Sequence, residues 1–79
     1  MIKVMFFGPV AERIGKSNVA KEFRTGLRLQ DLRDELAAQF PHAFEIVCFT
    51  AVNGEHVRDM SVILADNNEV AFMAKFSGG

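Results

Sequence analysis

Leu29, Leu32, Leu36 and Phe40 fall at the spacing of one helix face, and Pro41 ends the run. Gln30, Asp31, Arg33, Asp34 and Glu35 fill the other faces, so the segment predicts a helix with one apolar stripe to bury. It is the clearest helix in the chain, long enough to cover one face of a small sheet. What lies on either side of it reads mostly as strand.

Ile2, Val4 and Phe6 alternate with Lys3, Met5 and Phe7, the pattern of a strand with one strongly apolar face. Gly8-Pro9 breaks it, residues 10–14 suit a short helical turn, and residues 18–23 a second strand, giving a first hairpin. Thr25-Gly26 marks a break before the helix. Residues 42–47 read equally as a helical turn or a buried connection. Residues 49–52 read as a strand, and Asn53-Gly54 tolerates the positive φ of a type I′ turn, with 55–57 as the return strand. Residues 62–64 add core, 66–68 make a turn and 69–73 form the last strand. The order β-β-α-β-β-β argues for an α+β layer pair, a mixed sheet packed on one main helix. With first and last strands adjacent, this is the β-grasp arrangement shared with ubiquitin.

Seventy-nine residues make one domain, 1–79, whose end is expected to be a flexible tail. A net charge of −1 offers no broad basic field, so nucleic acid is not an expected partner. Cys48 is the only cysteine, which rules out an internal disulfide and suits a reducing compartment. The apolar opening is too short for a secretory signal, and no stretch is long enough to cross a membrane, so a cytoplasmic location is expected.

If Ile2, Val4 and Phe6 face inward with Val70 and Phe72, then Met5, Phe7, Ala71 and Met73 lie on the opposite face, where no second helix covers them. Clustered exposed apolar side chains mark a partner site. The loop at 9–16 is the alternative cover.

Several patterns imitate chemistry. Gly15-Lys16-Ser17 follows a strand as a phosphate loop would, but Val10 stands where the motif needs its first glycine, and a strand follows. His42, Cys48 and His56 are too few and too scattered for a structural metal site. Cys48 is most simply a small buried apolar residue. Asp31 and Glu35 stand one helical turn apart, but as solvated charges. The remaining reactive group is the carboxylate of Gly79, ionised at neutral pH with a reference pKa of about 3.3–3.7. It is a poor electrophile until activated. Gly78-Gly79 lacks any Cβ and is thin enough to enter another protein's active site. The plain alternative is a frayed end.

The chain resembles the small subunits of molybdopterin synthase, a family of ubiquitin-like sulfur carriers. The likeness runs from Met1-Ile2-Lys3-Val4-Met5-Phe6-Phe7 through the helix with Leu29, Leu32-Arg33 and Leu36. It continues over Ala51-Val52-Asn53-Gly54 and residues 66–72 to Ser77-Gly78-Gly79. It departs at Ala74-Lys75, where the family commonly has two prolines that pre-set an extended tail.

The resemblance implies a cycle. A ubiquitin-activating-type enzyme spends ATP to adenylate Gly79, and a sulfur donor converts the adenylate to a thiocarboxylate. Gly78 lets the tail insert into the large subunit of the synthase. There the sulfur passes to a cyclic pyranopterin precursor, building the dithiolene of molybdopterin. The chain itself would bind no cofactor and no metal, and would work within a heterotetramer whose catalytic residues lie in the large subunit. Phe7, Met73 and Phe76 are expected to dock the partners, with His56 at the rim and Lys75 contributing a charge. A carrier for thiamine or cysteine biosynthesis and a ubiquitin-like binding module stay open beside this reading.

Overall fold

The alternation at the start of the chain folds as expected. In a computed structural model that describes residues 1–75, Ile2–Phe6 form β1 with Ile2, Val4 and Phe6 fully buried and Lys3 exposed. Gly8-Pro9 does more than break the strand: it opens a helix, α1 (Gly8–Ile14), two residues earlier than the sequence suggested. Proline suits a first helical turn because its missing N–H has no partner there. Val10 anchors α1 in the core, and Gly15 ends it at φ 83°, the left-handed geometry glycine adopts freely. Gly15-Lys16-Ser17 is therefore a helix cap leading into β2 (Asn18–Lys21), and the Ser17 carbonyl accepts from Phe6 N–H at 2.9 Å. β2 stops two residues short of Phe23, which leaves the ladder but still packs on the core.

The long helix, α2, spans Leu29–Gln39 and buries Leu29, Leu32 and Leu36. Its first turn is held by Asp31, whose carboxylate accepts from the Arg28 backbone N–H at 3.0 Å and from the Arg28 guanidinium at 3.0 and 3.2 Å. Phe40 caps it, and Pro41 opens another short helix, α3 (Pro41–Phe44), which resolves the open segment in favour of a helical turn. β3 (Val47–Val52) turns at Asn53 (φ 50°) and Gly54 (φ 83°) into the two-residue β4 (Glu55–His56). β5 (Glu69–Ala74) is the last strand. Of the expected core run at 62–64 only Leu64 is fully buried; Ile63 is 67% exposed, because alternation turns it out opposite Arg28.

The sheet order is β2-β1-β5-β3-β4. β1 and β5 run parallel side by side, and the other pairs are antiparallel. First and last strands are thus adjacent under one main helix, the β-grasp fold. Four phenylalanines join the layers. Phe6 stacks near Phe72 (centroids 6.4 Å) and meets Phe40 and Phe44 edge-on, while Phe44 lies 5.1 Å from Phe72. They tie β1 and β5 to the end of α2 and to α3.

Three surface aspartates set a pH dependence. The Arg28 side chain lowers the pKa of Asp31 below the ordinary 3.8, Ser61 lowers that of Asp59, and the Met1 amino group at 2.6 Å lowers that of Asp66. The unfolded chain takes up these protons at higher pH than the folded one. The stabilisation is therefore present above the unfolded value and is lost as pH falls through the folded ones. The urea midpoint is expected to fall between about pH 5 and about pH 3 and to fall less in Asp31→Asn; a midpoint that rises on acidification contradicts this.

Candidate functional site

Helices cover one face of the sheet, and the other carries a row of small and apolar residues. The register sets Asn18, Met5, Ala71, Ala51 and His56 on one line across all five strands. The next line pairs Phe49 with Met73, and Phe7 continues β1 beside them, its N–H donating to the Phe72 carbonyl at 3.4 Å. Because side chains alternate along a strand, Phe6 inward means Phe7 outward.

Phe7 is 47% and Phe49 38% exposed, whereas Met5 and Met73 are half-buried. Ala51 and Ala71 are buried for a different reason: they are small and sit between these larger neighbours. His56, exposed, lies edge-on to Phe49 with ring centroids 5.4 Å apart. The result is an apolar surface crossing β1, β5 and β3 with an imidazole at its border, a feature monomeric proteins rarely leave uncovered. Helix α1 packs toward α3 and β5 with Val10 in the core, so its residues do not supply the cover that the 9–16 loop was considered to give.

Of the expected docking residues, Phe7, Met73 and His56 thus share this face. Lys75 follows β5, exposed, and lines a recess with Pro9, Arg13 and Glu45. Phe76, Gly78 and Gly79 lie outside the described residues. Phe49 is the member that sequence reasoning missed. Phe49-Thr50-Ala51-Val52 reads as a strand with no face assigned to its residues; Thr50 is buried at 6% and Phe49 points out. The signal was the Asn53-Gly54 turn. A two-residue loop fixes Val52 opposite Glu55 and Ala51 opposite His56, which places Ala51 and Phe49 on the face of His56.

Cys48 is exposed, not buried. The β3–β5 register shifts between Val47 and Phe49, so Cys48 is the extra residue of a bulge and has no inward place in the ladder. Among the described residues no three His, Cys, Asp or Glu side chains are grouped to hold a metal ion, and no helix is long and apolar enough to cross a membrane. Asp31 and Glu35 do not form a carboxylate pair: Asp31 is taken by Arg28, and Glu35 meets Arg24 at 3.1 Å. The face is suited to docking.

Solved structures with the same fold include SAMP1 (small archaeal modifier protein 1) from Haloferax volcanii. It is 21% identical at a TM-score of 0.83, with 99% of this chain and 98% of that one covered. A Pyrococcus furiosus protein provisionally named subunit 1 of molybdopterin converting factor is 24% identical at a TM-score of 0.81, covering 92% and 94%. A chain from the complex of subunits 1 and 2 of molybdopterin-converting factor of Helicobacter pylori 26695 is 22% identical at a TM-score of 0.68, covering 99% and 97%. At these identities the likeness is one of fold. No curated protein matches the chain. The model of the ThiS family matches residues 4–79.

Proposed function

The chain belongs to the ThiS family of ubiquitin-like sulfur carriers, and we propose that within it the protein is the small, sulfur-donating subunit of a molybdopterin synthase. The observation that carries this reading is the join between the apolar face and the tail. Met73 closes that face on β5 and stands six positions before Gly79. Six extended residues reach about 20 Å, enough for a docked partner to receive the terminal carboxylate in a buried site.

The Gly79 carboxylate attacks the α-phosphorus of ATP on an adenylating enzyme and releases pyrophosphate. The acyl adenylate has a good leaving group, and a sulfur donor displaces AMP to leave a thiocarboxylate. This sulfur stays covalently on the carrier, and is handed to a cyclic pyranopterin precursor in the large subunit. Support for that partner comes from the Helicobacter pylori complex, whose two subunits bear the matching names. Ala74-Lys75 replaces the expected prolines, so this tail meets its partners with a less pre-set backbone.

The thiocarboxylate form, mixed with a large subunit and the pyranopterin precursor, is expected to yield molybdopterin. Absence of product with a large subunit active on another carrier contradicts the molybdopterin assignment and leaves the carrier chemistry standing. Docking is tested separately. Phe7→Arg removes an exposed ring that caps nothing through its side chain, so the melting temperature is expected to hold. Affinity for the large subunit, read by calorimetry, is expected to drop at least about tenfold, as for a central aromatic anchor. Unchanged affinity for both partner enzymes contradicts the face assignment.

A further inference from the structure

Three of the five arginines are within ion-pair reach of a carboxylate: Arg13 of Glu45, Arg24 of Glu35 and Arg28 of Asp31. Among the described residues Arg33 and Arg58 have no such partner. They come from different elements, α2 and the segment after β4, yet line one groove of about 440 Å³. No aspartate or glutamate lines it, and His56 adds a third basic group. Two unneutralised guanidinium groups facing one cavity leave a local positive potential on a chain whose net charge is −1.

The wall of the groove is the outer edge of β3. β4 pairs only with Ala51 and Val52, and the Val57 N–H adds one further bond, to the Thr50 carbonyl at 2.9 Å. Along residues 47–49 β5 occupies one edge of β3, and among the described residues no strand occupies the other. An uncovered edge beside a groove is a template for strand addition.

We propose that this groove receives an extended acidic segment of a partner protein as a short added strand on β3, with Arg33 and Arg58 taking its carboxylates. Guanidinium groups suit this because they bind carboxylates in a two-point fork. Arg33 is held ready, its guanidinium carbon 5.6 Å from the centre of the Phe44 ring. Arg58 is exposed and free to close over the segment. Phe49, Val57 and Met60 supply the apolar part of the lining, so a segment alternating acidic and apolar residues matches both components. The three open positions span about 10 Å at about 3.3 Å per residue, the length of a short strand. A free phosphate would use the arginines but leave the strand edge unpaired. The groove borders the open face at Phe49 and His56, but the inference stands on the unpaired arginines and does not depend on the sulfur-carrier reading.

The test is a titration of the ¹⁵N-labelled full chain with the blocked pentapeptide acetyl-Val-Asp-Val-Glu-Val-amide, followed through backbone amide shifts. Saturable shifts are expected at 47–50 and 56–58. The dissociation constant is expected to rise at least about tenfold in Arg58→Glu and in Arg33→Gln, which keeps the three-carbon stem and a polar end without the charge, with an otherwise unchanged spectrum guarding against misfolding. A probe with proline at its centre, which lacks the N–H, is expected to lose binding. No shifts at the edge at millimolar peptide, equal binding by a probe with lysine for both acids, or the same shifts from inorganic phosphate alone would overturn the proposal.

Discussion

Gly78→Val is expected to leave the folded domain as it is and to abolish charging of Gly79. The core lies well before the tail: among the described residues every fully buried one lies between Ile2 and Phe72. A substitution at 78 is therefore expected to leave this core intact. Chemistry is another matter. The carboxylate has to reach one active site to be adenylated and a second to give up its sulfur, and both must close on the same peptide. An isopropyl group next to the reacting residue widens the tail and restricts its backbone to conformations that glycine is free to leave. A misplacement of about 1 Å at a reacting centre costs on the order of 10²-fold in rate, so adenylate formation, read as ATP–pyrophosphate exchange, is expected to fall by at least that factor. Gly78→Ala, with a single methyl, should fall between. Normal exchange in the valine variant means that the tail does not enter a narrow site.

Phe72→Ala is expected to cost about 3–5 kcal/mol, the range for emptying a buried phenylalanine site. Phe72 is fully buried and contacts two other rings, Phe6 and Phe44, so its loss leaves a cavity between the sheet and α3. A small domain has a total stability of only about 5–15 kcal/mol, toward the lower end at this size, so the variant is expected to be substantially unfolded at physiological temperature. Met73 and the start of the tail follow Phe72 on the same strand, and docking should fall with folding. Urea unfolding gives the number. Phe72→Leu, which keeps most of the volume, should recover much of the stability. A loss below about 1 kcal/mol in Phe72→Ala would mean that the aromatic cluster does not hold the layers together.

The physical reason that much of this fold was legible is that its signals are local and mutually consistent. Ile2, Val4 and Phe6 alternate without interruption; Leu29, Leu32 and Leu36 keep one helix face; Asn53-Gly54 sets both the turn and the register. The adjacency of β1 and β5 was not in the periodicity but an expectation of topology, and the structure pairs Val4 with Val70 and Phe6 with Phe72. What was not legible depends on contacts between distant segments. The bulge at Cys48 is a mismatch between β3 and β5, invisible in either strand alone, and it turns an apolar-looking residue outward. Thr50 is buried and Phe49 exposed for the same kind of reason: which face a short apolar run buries is settled by its partners. Ile63 is exposed because its neighbours Val62 and Leu64 make the bonds to the Leu29 N–H and the Leu27 carbonyl that fix its direction. The open face was half legible: Met5, Phe7 and Met73 follow from alternation, but the arginines of the neighbouring groove, far apart in sequence, gave no pattern.

The central claim is that Gly79 carries sulfur. Its most direct test is the intact mass of the protein after incubation with an adenylating enzyme of the ubiquitin-activating type, ATP and a sulfur source. The expected result is a gain equal to the exchange of one oxygen for one sulfur, placed on Gly79 by fragmentation and absent without ATP. An unchanged mass, with the same enzyme shown to charge another carrier, would contradict it.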